Sequence, residues 1–233
     1  MVGYAVQAVI GLVSRYLGVT HRLLPLLLIG CVGSKPSDQQ WSIETESPQA
    51  QVRYLPGGVI DIDTPRGLTL WYPDRLDGPV RIAFDAMAVS AGGPNDQVSD
   101  LNAFWMATDP AVPDRSVFSR PRDGRFEAYD TLTTYYVGIG GNRNTTTRMR
   151  RYTGRPGDRP LLPEHDRADP AALLQPNRWT RVALIADGER IAVERDGRLL
   201  FVMTDPAPYR SGWFALRTTQ SHLRIRRVTI SRP

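Results

Sequence analysis

The sequence predicts an all-β fold of the concanavalin A-like or jelly-roll kind, an antiparallel β-sandwich. From residue 41 onward, apolar and polar residues alternate in short runs with the period of two that strands show. Turn-forming residues separate these runs: the 233 residues include 19 prolines and 20 glycines. About a dozen strands without long helices between them favour antiparallel sheets packed face to face.

Each predicted strand is a run rich in β-branched or aromatic residues that ends at a turn signal. The pairs Asp187-Gly188 and Asp196-Gly197 predict tight hairpins, because both residue types tolerate the positive φ of such turns. Residues 41–233 are therefore predicted to form a single sandwich domain. In chain order, the predicted strands are 41–46, 51–55, 59–63, 68–72, 80–89, 100–108, 131–139, 145–152, 179–186, 190–194, 199–204, 213–218 and 223–231.

The run 100–108 shows how alternation separates two faces of one strand. The entirely apolar side is predicted to face the core, and the mixed side to line a groove. A single bulge would exchange the faces and would make Trp105 a platform for a sugar ring. The apolar side carries Leu101, Ala103, Trp105 and Ala107, and the mixed side carries Asp100, Asn102, Phe104 and Met106.

The N-terminal region predicts an exported lipoprotein. Arg22 precedes a short apolar run, and Leu28-Ile29-Gly30-Cys31 resembles a lipobox in which Cys31 receives the lipid. The run is shorter than the roughly 20 residues that span a bilayer, so it is interpreted as a processing signal. Residues 1–31 are thus predicted to be the signal and 32–40 a polar tether. The protein would then lie in the bacterial envelope, periplasmic or at the cell surface, attached to the membrane by its lipid.

Charge and cysteine content exclude several classes of function. The formal net charge of +5 is too small and too dispersed to predict nucleic-acid binding. One cysteine excludes an internal disulfide and a cysteine-rich zinc site. The sequence also contains no phosphate-binding loop, haem-attachment motif or serine-hydrolase motif.

The densest group of polar residues lies at 129–152, which is predicted to form two strands joined by a Gly-Gly-Asn turn. On the second strand Arg148, Arg150 and Tyr152 share one face, and Met149 and Arg151 share the other. Arginines on an interior strand need pairing or solvent. One interpretation is a solvated face with Arg–Asp pairs; the other is a site for an anionic or polyhydroxyl ligand.

Two segments carry a family resemblance: SDLNAFWMATDP at 99–110 and YYVGIGGNRNTTTR at 135–148. With 76–79, 92–96, 159–166 and 205–221, they resemble a bacterial family of secreted proteins of unknown function. That family is similar to concanavalin-like jelly rolls found beside polysaccharide-degradation genes, including rhamnogalacturonan-utilisation and keto-disaccharide hydrolase relatives. The resemblance implies a jelly roll from about residue 41 and an oligo- or polysaccharide partner, but it assigns no catalytic residue.

Three chemistries are compatible with the polar residues. Glycoside hydrolysis needs two carboxylates, for which Asp100, Glu127, Asp130 and Glu164 are candidates without a fixed spacing. Elimination from a uronic acid needs an acid or base and a group that neutralises the carboxylate, and this suits the residues better. No metal or other cofactor is predicted; Ca²⁺ on Asn95, Asp96 and Asp100 is an alternative without a strict loop motif.

We therefore expect a surface-anchored carbohydrate-active protein, a polysaccharide lyase or glycoside hydrolase acting on plant or algal glycans, including uronic-acid-containing ones. The alternatives are a carbohydrate-binding lipoprotein without activity and a structural envelope protein without a ligand. The candidate catalytic residues are Tyr135, Tyr136, His165 and His222. The candidate substrate-binding residues are Asn102, Trp105, Asn142, Asn144, Arg148 and Arg150.

Overall fold

The computed structural model describes residues 41–113 and 116–233. In this part of the chain, fifteen strands follow one another with only short helical turns between them. The strands are β1 (Ser42–Thr45), β2 (Gln51–Leu55), β3 (Val59–Thr64), β4 (Leu68–Trp71), β5 (Leu76–Asp77), β6 (Val80–Ala88), β7 (Leu101–Thr108), β8 (Thr133–Gly140), β9 (Thr146–Thr153), β10 (Asp166–Arg167), β11 (Thr180–Asp187), β12 (Arg190–Arg195), β13 (Arg198–Thr204), β14 (Ser211–Thr218) and β15 (Ser221–Ser231).

The helical segments are all a single turn. Four are 3-10 turns, at Val117–Ser119, Phe126–Tyr129, Pro163–His165 and Pro170–Ala172. The fifth, Gly141–Asn144, joins β8 to β9, and its Asn142 and Arg143 have left-handed backbone angles. In the described part of the chain, no helix is long and apolar enough to cross a membrane.

The strands form two sheets in which all the strand ladders are antiparallel. Sheet A has the order β1-β4-β14-β7-β8-β9-β10, with the short β5 beside β14, and sheet B has the order β13-β12-β11-β6-β15-β3-β2. Their inner faces pack against each other around aromatic pairs such as Trp105–Tyr135 and Phe84–Phe214. The predicted antiparallel β-sandwich is confirmed, and each predicted strand has a counterpart.

A second apolar cluster lies on the outer face of sheet A. We call residues 109–132 the cover segment; its Tyr129 packs at 5.4 Å from the Phe104 ring, measured between centroids. Glu44 ties the segment down, because its carboxylate accepts hydrogen bonds from Tyr129 Oη and Trp71 Nε1 at 2.9 Å each. This cluster contains Trp71, Phe104, Ala107, Val117, Tyr129, Leu132, Tyr136, Tyr152, Trp213 and Ala215.

Alternation in β7 was predicted correctly up to a bulge. Leu101, Ala103 and Trp105 face the central core. The register with β8 then shifts between Trp105 and Thr108, and Met106 adopts a left-handed φ of 54°. The shift corrects the prediction for the last residues: Met106 enters the central core, and Ala107 faces the cover segment.

Candidate functional site

A row of outward-facing residues crosses sheet A, with one residue from each of its seven main strands. The ladders align these residues as direct cross-strand partners, and in the central strands their neighbours, such as Leu70, Leu216 and Val137, point into the core. We call this set the polar row: Glu44, Thr69, Arg217, Asn102, Gly138, Arg148 and Asp166.

At the centre of the polar row, Arg217 is buried without a counter-ion. Its side chain lies between the rings of Phe126 and Tyr129, with the guanidinium carbon 5.2 and 4.9 Å from the two centroids. Nη1 donates to Thr69 Oγ1 at 2.9 Å and to the Gly124 carbonyl at 2.8 Å. Nε and Nη2 have no partner among the described residues. A buried charge without a partner is costly, so this arrangement needs an explanation.

Asn102 and Tyr136 add unpartnered polar atoms beside Arg217. Asn102 is 2% exposed, and its Oδ1 accepts no hydrogen bond from any described residue. A Cβ at Gly138 would lie 2.8 Å from that oxygen and would overlap the hydroxyl of Tyr136. Glycine at this position therefore lets the Tyr136 hydroxyl and the Asn102 carbonyl oxygen lie together over the sheet.

The Tyr136 hydroxyl is a hydrogen-bond donor and not a base. Burial raises the pKa of Tyr136 most strongly, and the nearby Tyr152 and Asp100 raise it further. Arg217 and Arg150 act in the opposite direction but do not compensate. Tyr136 is therefore neutral at working pH and offers one donor and one acceptor to a ligand.

A cavity of about 320 Å³ opens next to this group. Asp100 stands in its wall with a left-handed φ of 56°. Asp100 Oδ2 accepts hydrogen bonds from Ser99 Oγ and Thr219 Oγ1, both at 2.6 Å. Asn and Asp tolerate such backbone angles better than other residues, and strained residues concentrate at functional sites. The other lining residues include Glu46, Arg66, Gly67, Arg143 and Thr219.

Arg148 and Arg150 of β9 lie on this face as predicted but differ in their partners. Arg148 donates through Nε and Nη2 to the two carboxylate oxygens of Asp166, at 2.8 and 3.1 Å. Arg150 donates to the Arg159 carbonyl and forms no ion pair with a described residue. Arg148 thus forms one of the Arg–Asp pairs that the first interpretation predicted. The charge of Arg150 has no acidic partner among the described residues and could interact with a ligand.

The structure does not bring Tyr135 and Trp105 to this face. Both point into the central core, since each alternates with a neighbour on the outer face. The Tyr135 hydroxyl donates to Asp205 Oδ2 at 2.7 Å and accepts from the Tyr209 backbone N–H at 3.0 Å. Burial raises the pKa of Tyr135, and the bond to Asp205 adds to the shift. Both residues stabilise the sandwich.

The two candidate histidines also lie elsewhere. His165 is buried on the Pro163–His165 turn, with Nε2 3.0 Å from the Val202 carbonyl. His222 lies on β15 in sheet B, between Asp61 at 2.9 Å and Asp96 at 2.8 Å. The structure therefore does not bring the candidates His222, His165 and Tyr135 together with Asn102.

The β8–β9 turn places its asparagines at the edge of the site. Asn144 receives the Leu174 N–H at 2.9 Å and donates to the Leu174 carbonyl at 3.0 Å. Asn142 donates to Thr146 Oγ1 at 3.1 Å. Both amides thus hold the turn together, and the neighbouring Arg143 lines the cavity.

The predicted calcium ligands have separate partners. Asp96 accepts N–H groups from Ala91 and Gly93 as well as contacting His222, and the Asn95 amide donates to Asp63. Residues 41–113 and 116–233 contain no group of three or more His, Cys, Asp or Glu that could hold a metal ion.

Sequence reasoning missed Arg217, Glu46 and Thr219. Arg217 lies in an apolar strand, and this placement was the available signal because a buried arginine needs a reason. Glu46 and Thr219 are distant in sequence from Asp100, and only the fold brings them to the same cavity.

Comparison with known structures places this fold among lectin-like sandwiches. A carbohydrate-binding module, CBM66 from Bacillus subtilis, has a TM-score of 0.55 at 10% identity and covers 82% of this chain and 94% of its own. A galectin-like protein of unknown function from Bacillus subtilis has a TM-score of 0.59 at 13% identity, covering 82% and 89%. The Emp46p carbohydrate recognition domain gives 0.57 at 10%, covering 82% and 88%. At these identities the likeness concerns the fold.

The molecule is thus a galectin-like or concanavalin-like β-sandwich. The chain belongs to the family of the domain of unknown function DUF6250, whose model matches residues 62–228. Among curated proteins, none matches this chain. The predicted membership of a jelly-roll family of unknown function is confirmed.

Proposed function

We propose that this protein binds carbohydrate on the outer face of sheet A, at the centre of the polar row and in the adjoining cavity. The observation that carries the proposal is the position of the Tyr136 hydroxyl beside Asn102 Oδ1 and the neighbouring Arg217. Asn102 Oδ1 and Arg217 Nε and Nη2 have no hydrogen-bond partner among the described residues. Sugar hydroxyls both donate and accept hydrogen bonds, so they complement the neutral phenol of Tyr136 and the carboxylates and arginines that line the cavity. Structures with the same fold include a carbohydrate-binding module and a carbohydrate recognition domain, which supports this choice of ligand.

A glycan array probed with the full-length chain tests this proposal. We expect binding to a restricted set of oligosaccharides, and we expect Asp100→Asn to weaken it about tenfold, the effect of one charge-assisted hydrogen bond. Asp187→Asn is the control, because Asp187 is exposed in a hairpin of sheet B. Binding that is unchanged in Asp100→Asn and in Tyr136→Phe would place the site elsewhere.

Hydrolysis of the bound glycan is a second candidate function. Glu46 and Asp100 line the same cavity, and two carboxylates are what glycoside hydrolysis requires. Elimination has less support, because the raised pKa of Tyr136 makes it a poor base and the candidate histidines lie outside the site. New reducing ends that disappear in Glu46→Gln would establish hydrolysis. Absorbance of an unsaturated uronate would establish elimination instead.

We also propose that the protein is anchored in the bacterial envelope through Cys31. This residue and the tether lie outside the described residues, so the proposal rests on the lipobox sequence. Mass spectrometry of membrane-fraction protein should find an N-terminal peptide that begins at a lipid-modified Cys31. An intact bond between Gly30 and Cys31 with an unmodified thiol would refute it.

A further inference from the structure

Four arginines surround the proposed site without forming an ion pair to any described residue. Arg66 and Arg143 line the cavity, and Arg150 and Arg217 stand on the sheet beside Tyr136. The cavity lining contains two carboxylates, Glu46 and Asp100. These two acids balance Arg66 and Arg143 in the lining, so the excess positive charge beside the cavity is that of Arg150 and Arg217.

The free edge of Arg217 is the edge with which this protein usually holds a carboxylate. Arg148 uses Nε and Nη2 to grip Asp166, and Arg159 uses the same two nitrogens to grip Asp130 at 2.6 and 2.9 Å. In Arg217 these two nitrogens have no partner in the described chain. No described carboxylate therefore lies within ion-pair distance of this edge of Arg217.

The field of Arg217 reaches the ligand surface even though its own nitrogens are closed to solvent. Arg217 and Arg150 both act electrostatically on the Tyr136 hydroxyl, against Asp100. Inside a protein, Coulomb interactions extend several ångströms with little screening. An oxyanion beside the Tyr136 hydroxyl would therefore be stabilised by Arg150 nearby and by the buried Arg217 behind it.

We infer that the glycan recognised by this protein carries a negatively charged substituent, a carboxylate or a sulfate, bound between Tyr136 and Arg150. The inference rests on the proposed carbohydrate-binding function and adds the chemical class of the sugar. Arg217 is a positioning residue in this account, since its charge acts across the Tyr136–Asn102 surface. A neutral sugar would leave the positive charge of the site uncompensated.

The test compares matched glycans that differ only in charge. Polygalacturonate is paired with its carboxyl-reduced form, and κ-carrageenan, a sulfated galactan without uronic acid, with its desulfated form; other acidic glycans found on the array are paired in the same way. We expect the charged member of a pair to bind at least about tenfold more tightly at low salt, because bonds to ionised groups are the strong ones. Raising the salt concentration should reduce this advantage.

Single substitutions then show which residues cause the preference for the charged glycan. Arg150→Gln should remove most of the preference for the charged glycan over its neutral partner. Arg190→Gln is the matched control, because Arg190 is exposed on β12 of sheet B and forms no ion pair with a described residue. Arg217→Lys should retain more of the preference than Arg217→Met, with thermal unfolding used to compare only folded variants.

The outcomes separate the inference from the function on which it rests. Equal affinity for charged and neutral members of every pair would overturn the charged-substituent inference and leave carbohydrate binding intact. Binding to no glycan at all would overturn the proposed function itself. A preference seen only in the sulfated pairs would support the inference and identify the oxyanion as sulfate.

Discussion

The outer faces of the two sheets are both rich in arginine, but they use it in opposite ways. On sheet B, Asp61 accepts from Arg53, Arg224 and His222. Asp85, also on sheet B, accepts from Arg181, Arg226 and Arg227. On sheet A, Arg150 and Arg217 form no ion pair with a described residue. Arginine content alone therefore does not identify a site; buried or half-buried arginines without a compensating acid do.

This difference between the sheets predicts that the ion pairs on sheet B stabilise the folded protein. Burial raises the pKa of Asp61, but hydrogen bonds from Arg224, His222 and Arg53 outweigh this effect and bring the pKa down to about 2. Asp61→Asn should lower the free energy of unfolding by about 2 kcal/mol, an estimate that allows for the half-exposed arginines. Urea unfolding measures it, with the exposed Glu189→Gln as control.

The lowered pKa of Asp61 also predicts how the stability of the protein changes with pH. Because the pKa of Asp61 is lower in the folded state, its contribution is complete above the unfolded value near 4 and is lost as the pH falls through about 2. The stabilities of the parent protein and Asp61→Asn should therefore converge between pH 4 and pH 2. A constant difference across that range would show that Asp61 does not stabilise through its charge.

Tyr135 and Tyr136 are neighbours on β8 and lie on opposite faces of sheet A, so they separate stability from binding within one strand. Tyr135→Phe breaks the buried bond to Asp205 and should cost about 1–2 kcal/mol of stability while glycan affinity is preserved. Tyr136→Phe removes a hydroxyl without a partner and should change stability by less than about 0.5 kcal/mol while weakening glycan binding. Calorimetry with the array glycan measures both quantities. The reverse pattern would exchange the roles assigned to the two faces.

The smallest expected effect on stability is at Asn102. Asn102→Leu replaces a buried amide whose Oδ1 accepts no hydrogen bond from a described residue, so the free energy of unfolding should stay constant or rise by up to about 1 kcal/mol. Binding should nevertheless be lost. The control is Asn144→Leu, which breaks two hydrogen bonds to Leu174 and should destabilise the protein. A clear loss of stability in Asn102→Leu would mean that the amide is structural.

Much of the fold was predictable because it depends on local patterns. The alternation of Leu101, Ala103 and Trp105 identified the core side of β7, and Asp187-Gly188 and Asp196-Gly197 marked hairpins that the structure contains. The bulge after Trp105 was not predictable, because it depends on pairing with β8.

The candidate site was predictable only in part, since its residues meet across long stretches of chain. Asn102, Tyr136 and Arg150 were identified from their strands, and they do share one face. His222 was misplaced because its partner Asp61 lies 161 residues away. Arg217 was missed for a related reason: only the fold shows that its charge lacks an acid.

The polar row makes the site depend on strand register. Its members align because the register irregularities of β14 and β7, near Trp213 and Trp105, lie outside the row. Inserting or deleting one residue within a row-forming strand would turn that strand's contribution inward. Changes of length should therefore be tolerated in distant hairpins such as 187–190 but not between Leu101 and Phe104, so loop remodelling offers a way to engineer this protein without losing ligand recognition.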